Sequence, residues 1–458
     1  MYSEKTSLTV YCQSCWWSDK WNVLVYGREY DFNKPFFLQL NELHRQVPLP
    51  ALWGFNNENC DFANYVGYSK NCYFSFSIVS SEEIYYSGST DRSKNCFDGY
   101  IVQDSEFCYE NINSAKNYRS VYLDDSKENI NSAFLYDCSN CQDCFMSQGL
   151  RNRQYVFRNE QCSKEEYTRM AAKEMNGSFK KFEELIAESR ELKQKSVHKF
   201  AHILKSENCI GDNISESRNA WNSFRIQESE NIKYCYRLVK YKDAYDVSGA
   251  ITSEMMYEAS VAASHNYFGK FFVQIKESKN FEYSMYGSSV SNIFGCVGVQ
   301  NKQYCILNKQ YTKEEYEALV PKIIKHMTDM PYVDAKGRTY TYGEFFPPEL
   351  SPFAYNETIA QEYFPLTKEE ATEKGYKWRD PDTKNYTVTT KPEDLPDHIR
   401  DVSDSITQEV IGCAATSPDA HSGRGPDPKA SGCTTAFKII PQELAFYRKM
   451  NLPLPRLC

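Results

Sequence analysis

Ser69-Lys70-Asn71-Cys72, Ser81-Glu82-Glu83-Ile84, Ser93-Lys94-Asn95-Cys96 and Ser105-Glu106-Phe107-Cys108 are successive copies of one phrase: a serine, any residue, an asparagine-type mark and an apolar residue. The mark continues at Asn117, Asn129 and Asn140, and the array returns at Asn208, Asn219, Asn231, Asp243, Glu254, Asn266, Asn280 and Asn292. A unit this short cannot hold a helical hairpin, whose solenoid repeats need about 33 to 47 residues. It accommodates a strand of about five or six residues and a turn. The chain therefore reads as mainly β, a duplicated short-repeat β-solenoid with about twelve residues per strand unit.

In every unit the residue after the mark is apolar, Cys72, Ile84, Tyr118, Ile130, Ile232, Met255 and Tyr267 among them, and is expected to face inward. The serine two positions before the mark is expected outside the strand, as a turn former. Two units would make a coil of about 24 residues, stacking Cys72 on Cys96, Ile84 on Cys108 and Ala220 on Ala244. The competing topology is an antiparallel meander of hairpins.

Each array closes alike. Asn152-Arg153-Gln154-Tyr155 leads to Ser163-Lys164-Glu165-Glu166-Tyr167, and Asn301-Lys302-Gln303-Tyr304 leads to Thr312-Lys313-Glu314-Glu315-Tyr316. Ser163 with Glu166, and Thr312 with Glu315, have capping-box spacing, so a helix should follow each array. A loose apolar stripe from Tyr167 to Leu192 predicts one broken helix or a helical hairpin, interrupted near Asn176-Gly177. A shorter helix from Tyr316 to Met327 should be kinked by Pro321. Ala414 to Gly432 has the composition of a mobile loop.

At 458 residues the chain exceeds one ordinary core, and 41% apolar content argues against wholesale disorder. A net charge of −8 gives no general attraction to phosphate backbones or anionic lipid. The start of the chain holds no signal-peptide core, and no apolar run approaches the roughly 18 residues of a membrane span. A cytoplasmic protein with no membrane association is expected. The 17 cysteines then read as reduced thiols and metal ligands, not a disulfide scaffold.

Cys12-Gln13-Ser14-Cys15 has the spacing that lets two thiolates of one turn reach one tetrahedral zinc, with Trp16, Trp17 and Trp21 packed beside it. The alternatives are buried thiols in an aromatic cluster and a redox pair. Cys138, Cys141 and Cys144 form a CxxCxxC, yet along a strand Cys144 would face opposite to Cys141. His198 and His202 lie four apart on the expected helix without an HExxH context. Glu82-Glu83 and Asp124-Asp125 are carboxylate pairs, but neighbours on a strand point to opposite faces. No phosphate-binding glycine loop and no GxSxG elbow occurs.

The tail, Cys433-Thr434-Thr435-Ala436-Phe437 through Gln442-Glu443-Leu444-Ala445-Phe446-Tyr447 to Pro453-Leu454-Pro455-Arg456-Leu457-Cys458, resembles a small treble-clef zinc-binding domain. That resemblance implies structural zinc held by Cys413, Cys433 and Cys458, the first pair split by an insertion and the last ligand missing. Cys12 and Cys15 look like the second half of a zinc ribbon, as if the chain were clipped at both ends. Together with the repeats and closing boxes, these segments resemble an uncharacterised family of predicted bacterial zinc-ribbon repeat proteins, which implies no activity.

The expected organisation is an N-terminal partial zinc-ribbon-like module (1–57), a first β-array (58–162), a helical insertion (163–204), a second array (205–311), a helix (312–330), an irregular Pro-, acid- and Tyr-rich segment (331–412) and a C-terminal treble-clef-like module (413–458). The leading expectation is a non-enzymatic, zinc-stabilised scaffold or binding protein whose Tyr and Asn rows contact a protein or polysaccharide. The alternatives are a carbohydrate-binding or carbohydrate-cleaving β-solenoid, and nucleic-acid binding through the terminal zinc modules.

Overall fold

The computed structural model describes residues 2, 6–249, 251–261, 264–380, 386–416 and 433–458. Strand outweighs helix, 36% against 24%, so the chain is mainly β, with several parallel sheets. The loop read from Ala414 to Gly432 lies, from 417 onward, outside the described residues. Two compact units are present, each made of separate pieces of chain. One joins Leu52–Val197 to Pro381–Cys458, and the other joins Tyr2–Ala51 to His198–Asp380.

In the first unit the array forms two parallel ladders. One contains Asn64–Gly67, Phe76–Val79, Gly88–Asp91 and Tyr100–Gln103; the other contains Lys70–Tyr73, Glu82–Tyr85, Lys94–Phe97 and Glu106–Tyr109. Cys72 pairs with Ile84, Ile84 with Cys96, and Cys96 with Cys108, so neighbours in a ladder are one repeat apart. The parallel register excludes the hairpin meander. It also corrects the expected 24-residue coil: each twelve-residue repeat places one strand in each ladder, and Cys72 and Cys96 lie two rungs apart with Ile84 between them.

The backbone supplies the reason. Tyr65, Tyr68, Asn71, Phe74, Ser77, Ser80 and Glu83 all have positive φ, between 47° and 59°, so the chain turns a left-handed corner at every third residue. Four corners fit in twelve residues. The residue after each corner points inward: Cys72, Ser75, Ile78, Ser81 and Ile84 are all buried. Inward positions thus recur with a period of three, against the two of a flat strand.

This geometry turns the serines inward, contrary to the expected turn role. Ser81 N–H donates to Ser69 Oγ, Ser93 N–H to Ser81 Oγ and Ser105 N–H to Ser93 Oγ, each at 3.1 Å. Each hydroxyl in turn donates to a carbonyl two residues back, as Ser93 does to Asp91 at 2.9 Å. The ladder saturates backbone donors that the corners would otherwise strand in the core. Outside, corner amides stack one rung apart: Asn71 donates to Glu83 at 2.7 Å, and Asn219 to Asn231 at 3.0 Å. Asparagine suits these corners because it tolerates the left-handed region.

The inward rule keyed on asparagine fails at four units. Tyr118, Ile130, Met255 and Tyr267 are 41%, 42%, 38% and 49% exposed, while Ser120, Ser132 and Met256 are buried in their place. Asn117 and Asn129 are themselves core residues in the serine column: Asn117 N–H donates to Ser105 Oγ, and Asn129 N–H to Asn117 Oδ1. At Ser253↔Asn266 the register lengthens by one residue, and before it Glu254 pairs with Lys242, one position ahead of the corner at Met255. Ile232 is buried as expected.

Each array ends in an antiparallel turn, Gln154–Phe157 on Glu160–Gln161 and Gln303–Ile306 on Lys309–Gln310. The helices Lys164–Glu174 and Lys313–Asp329 follow, both with the expected capping box formed. The second helix runs through Pro321 in one piece. The expected break near Asn176-Gly177 is present: the helices Lys164–Glu174 and Phe179–Lys195 are parted at Gly177, whose φ of +87° favours glycine. In the second unit the helix Phe36–Gln46 packs Phe36 against Tyr283 and Phe294, with ring centroids 5.3 Å apart in both pairs. No helix among the described residues is long and apolar enough to cross a membrane.

Candidate metal centre

Cys413, Cys433 and Cys458 bring their sulfurs within 4.8 Å of one another, in the first unit. Cys413 directly follows the strand Ile411–Gly412, which pairs antiparallel with Ala436–Phe437. Cys413 N–H donates to Thr435 O at 2.9 Å, and Thr435, at φ 64°, turns its own N–H back to Cys433 Sγ at 3.3 Å. Cys458 is delivered from the far side. Arg456 donates to the carbonyls of Pro392 at 2.6 Å and of Leu395 and Pro396 at 3.0 Å, and its guanidinium lies 4.6 Å from the Phe179 ring centroid. That anchor holds Cys458, whose N–H donates to Cys413 Sγ at 3.4 Å.

Cys433 and Cys458 sulfurs are 3.4 Å apart. Sulfurs around a tetrahedral zinc, at Zn–S of about 2.3 Å, stand about 3.8 Å apart, so small adjustments bring three thiolates onto one ion. Backbone N–H donors aimed at sulfur favour the thiolate form a metal requires. Burial pushes the Cys433 thiol up to about 11. Burial also opposes ionisation of Cys458, but hydrogen bonds from Thr434, Cys433 and Cys413 outweigh it and lower that thiol. Among the described residues three ligands converge, which could hold a metal ion and leaves one coordination position for another donor.

Cys12 and Cys15 lie in the other unit, exposed, at the start of the helix Gln13–Trp16. Cys15 N–H donates to Cys12 Sγ at 3.4 Å, and the Ser14 hydroxyl helps lower the Cys12 thiol to about 7. No third His, Cys, Asp or Glu joins them among the described residues. Trp16 is buried beneath them, and Trp21 donates its indole N–H to Trp16 O at 3.0 Å.

Cys138, Cys141 and Cys144 are all buried: the three-residue period points all three inward, contrary to the opposite facing expected of Cys144. Contact with Cys144 lowers the Cys141 thiol to about 6, while Cys144 is raised. His198 and His202 fall beyond the helix, which ends at Lys195, and His202 Nδ1 sits 3.2 Å from Asp212. Glu82 pairs with Lys94 at 2.9 Å and Glu83 takes Asn71 and Tyr85; Asp124 pairs with Lys193, and Asp125 accepts from Asn113.

The sequence reading missed a different set, Asp98, Glu110 and Glu443, which the fold gathers in one cleft of the first unit. Tyr86 and Glu443, 357 positions apart in the chain, meet there at 3.3 Å. The only sequence signal is that Asp98 and Glu110 stand one repeat apart.

No protein-family model matches the chain, and no curated protein matches it. Among solved structures, one similar chain is a "putative acetyltransferase" from Desulfovibrio desulfuricans G20, 10% identical, with 58% of this chain and 68% of that one covered at a TM-score of 0.12. A likeness that low carries no argument about fold or chemistry.

Proposed function

We propose that this protein is a zinc-stabilised repeat scaffold or binding protein without catalytic activity, its two arrays being narrow β-solenoids. The observation that carries the reading is the convergence of Cys413, Cys433 and Cys458 in a module that covers the first array. Soft thiolates at tetrahedral spacing select zinc over harder cations. The parallel pairing of successive repeats within each array supports a regular stack in each unit, and exposed Tyr68, Tyr118, Tyr234 and Tyr236 supply flat contact surfaces for a protein or polysaccharide partner in the cytoplasm.

A carbohydrate-cleaving reading draws support from carboxylates in an aromatic cleft, but both Glu443 oxygens are engaged, Oε1 by Tyr447 and Oε2 by Tyr86 and the Ile440 amide. That leaves it a poor nucleophile or base. Nucleic-acid binding is weaker still, since six carboxylates line that cleft against Lys180, Lys438 and Arg456.

Elemental analysis of purified protein tests the metal. About one zinc per chain is expected at the three-cysteine centre, lost in Cys413→Ser, with loosened protection of the helix Pro441–Met450 in hydrogen exchange. Zinc below about 0.5 equivalents in the unmodified chain would refute the reading.

A further inference from the structure

Along the arrays, a corner carboxylate commonly meets a base or an amide one rung away. Lys116 faces Glu128 at 3.4 Å, Arg92 faces Asp104 at 2.7 Å, and Asn71 faces Glu83 at 2.7 Å. The column through Phe74, Tyr86, Asp98 and Glu110 breaks this pattern. Asp98 and Glu110 are stacked corners, because the residues before them, Phe97 and Tyr109, are ladder partners. Stacked rungs lie about 4.8 Å apart, and like charges opposite one another repel. Among the described residues the Asp98 carboxylate accepts no hydrogen bond, and its electrostatic neighbours are two further acids, Glu110 and Glu443.

This column opens into a cleft of about 1000 Å³ between the first array and the C-terminal segment. Its walls are aromatic on three sides: Phe74, Tyr86 and Tyr109 from the array, Phe179 and Phe182 from a helix, and Tyr447 from the last helix. Burial drives the Asp98 carboxyl well above the ordinary carboxylate range, with Glu110 and Glu443 adding to it, and burial raises Glu443 to about 7. Among the described residues the site thus keeps Asp98 without a hydrogen-bond donor or a base, beside two further acids and against π faces, an arrangement that a cation with an apolar body relieves twice over, by pairing with that carboxylate and by lying on the ring faces.

We infer that this cleft binds a small organic cation, an ammonium or guanidinium head carried on an apolar or aromatic body. The head sits at Asp98 with Glu110 and Glu443 behind it, and the body lies among Phe74, Tyr86 and Phe182. A neutral sugar would use the same rings but leave Asp98 uncompensated. The cation can be a free amine or one borne on a chain, such as a lysine side chain. The inference does not require the arrays to bind any macromolecule.

Titration calorimetry on the full zinc-analysed chain tests it, with phenethylammonium and benzyltrimethylammonium as cations, a lysine-containing tripeptide for the chain-borne form, and 2-phenylethanol and cellobiose as neutral counterparts. Saturable binding of a cation or of the tripeptide is expected, with the neutral compounds at least tenfold weaker. Affinity should rise about tenfold from pH 6 to pH 8, as Asp98 and Glu443 give up protons in the presence of the ligand. The groups facing them are Tyr86, Tyr109 and Glu110 from the array, Lys180 and Glu183 from the neighbouring helix, and Tyr447 from the last helix. Asp98→Asn should weaken binding about tenfold or more with zinc content unchanged. The pH series on the unmodified protein decides the matter should that variant fold poorly. Equal binding of the neutral compounds, unchanged affinity in Asp98→Asn, or no cation saturating below about 10 mM overturns the inference.

Discussion

Replacing Ser93 with alanine tests whether the internal serine column holds the array. Ser93 is buried, its Oγ accepts the Ser105 N–H at 3.1 Å, and its hydroxyl donates to Asp91 O at 2.9 Å. The Asp91 carbonyl keeps a second donor, Asp104 N–H at 3.0 Å, so the loss falls on one buried amide. A stranded buried donor costs about 1–3 kcal/mol, and about 2 kcal/mol corresponds to a roughly 30-fold faster opening at that rung. Two units make a single melt an unsafe readout, so amide hydrogen exchange of the full chain is the suitable assay. Ser105 should lose about 30-fold protection, with smaller effects one rung either side. Lys94→Ala, at the next residue in the chain and in an exposed pair with Glu82, should change protection by less than about threefold. Equal effects of the two substitutions, or an unchanged Ser105, would mean the column does not carry the backbone donors.

Ile101 is β-branched and held at φ 61°, so Ile101→Asn should stabilise the first unit by about 0.5–1 kcal/mol, read as slower exchange of its neighbours; destabilisation would refute the left-handed corner. Pro321 removes a hydrogen bond inside the helix Lys313–Asp329, and Pro321→Ala should gain about 1–3 kcal/mol in local helix protection, a gain absent if the helix is already broken there. Glu443, raised from 4.5 to about 7 by burial, holds its proton more tightly folded than unfolded. Its contribution to stability is complete below about 4.5 and is lost as pH rises to about 7, at most about 1.4 kcal/mol per pH unit, so Glu443→Gln should flatten denaturant midpoints across that window; parallel curves would count against it.

What the sequence displays is the part set by local chemistry. The closing boxes at Ser163 and Thr312 are legible because a capping box is a contact between residues three apart, and both form as read. The short β repeat is legible because a strand and a turn fit twelve residues where a helical hairpin does not, whereas the spacing alone leaves a hairpin meander open and the parallel register decides between them. The three-residue corner is not, since Tyr65, Phe74 and Ile101 occupy left-handed conformations that their side chains do not advertise. The ladder's cooperative hydrogen bonding imposes those conformations from outside the residue, as tertiary context overrides propensity elsewhere. The three-cysteine centre is half legible: the tail showed which sulfurs to suspect, but their convergence depends on Arg456 reaching the carbonyls of Pro392, Leu395 and Pro396, a contact with no local signature. The acid cleft is illegible for the same reason, as Glu443 comes from the opposite end of the first unit's chain.

Asparagine misled because it has two uses here. At Asn71 and Asn219 it is a corner, chosen for its tolerance of positive φ and for a side chain that reaches the next corner. At Asn117 and Asn129 it is a core residue whose amide replaces the serine hydroxyl, accepting one backbone N–H and donating to a carbonyl, as Asn117 Nδ2 does to Ser126 O at 3.1 Å. The residue one repeat earlier separates the two uses. Asn117 succeeds Ser105 and inherits its inward column, while Asn71 succeeds Asn59, itself a corner. Applied to the whole chain, that test assigns Asn266, one rung after Ser253, to the interior, where it accepts the Ser278 N–H and donates to Ile275 O at 2.6 Å. Phase, carried from rung to rung by the hydroxyl ladder, therefore decides the facing of a residue that composition alone leaves ambiguous.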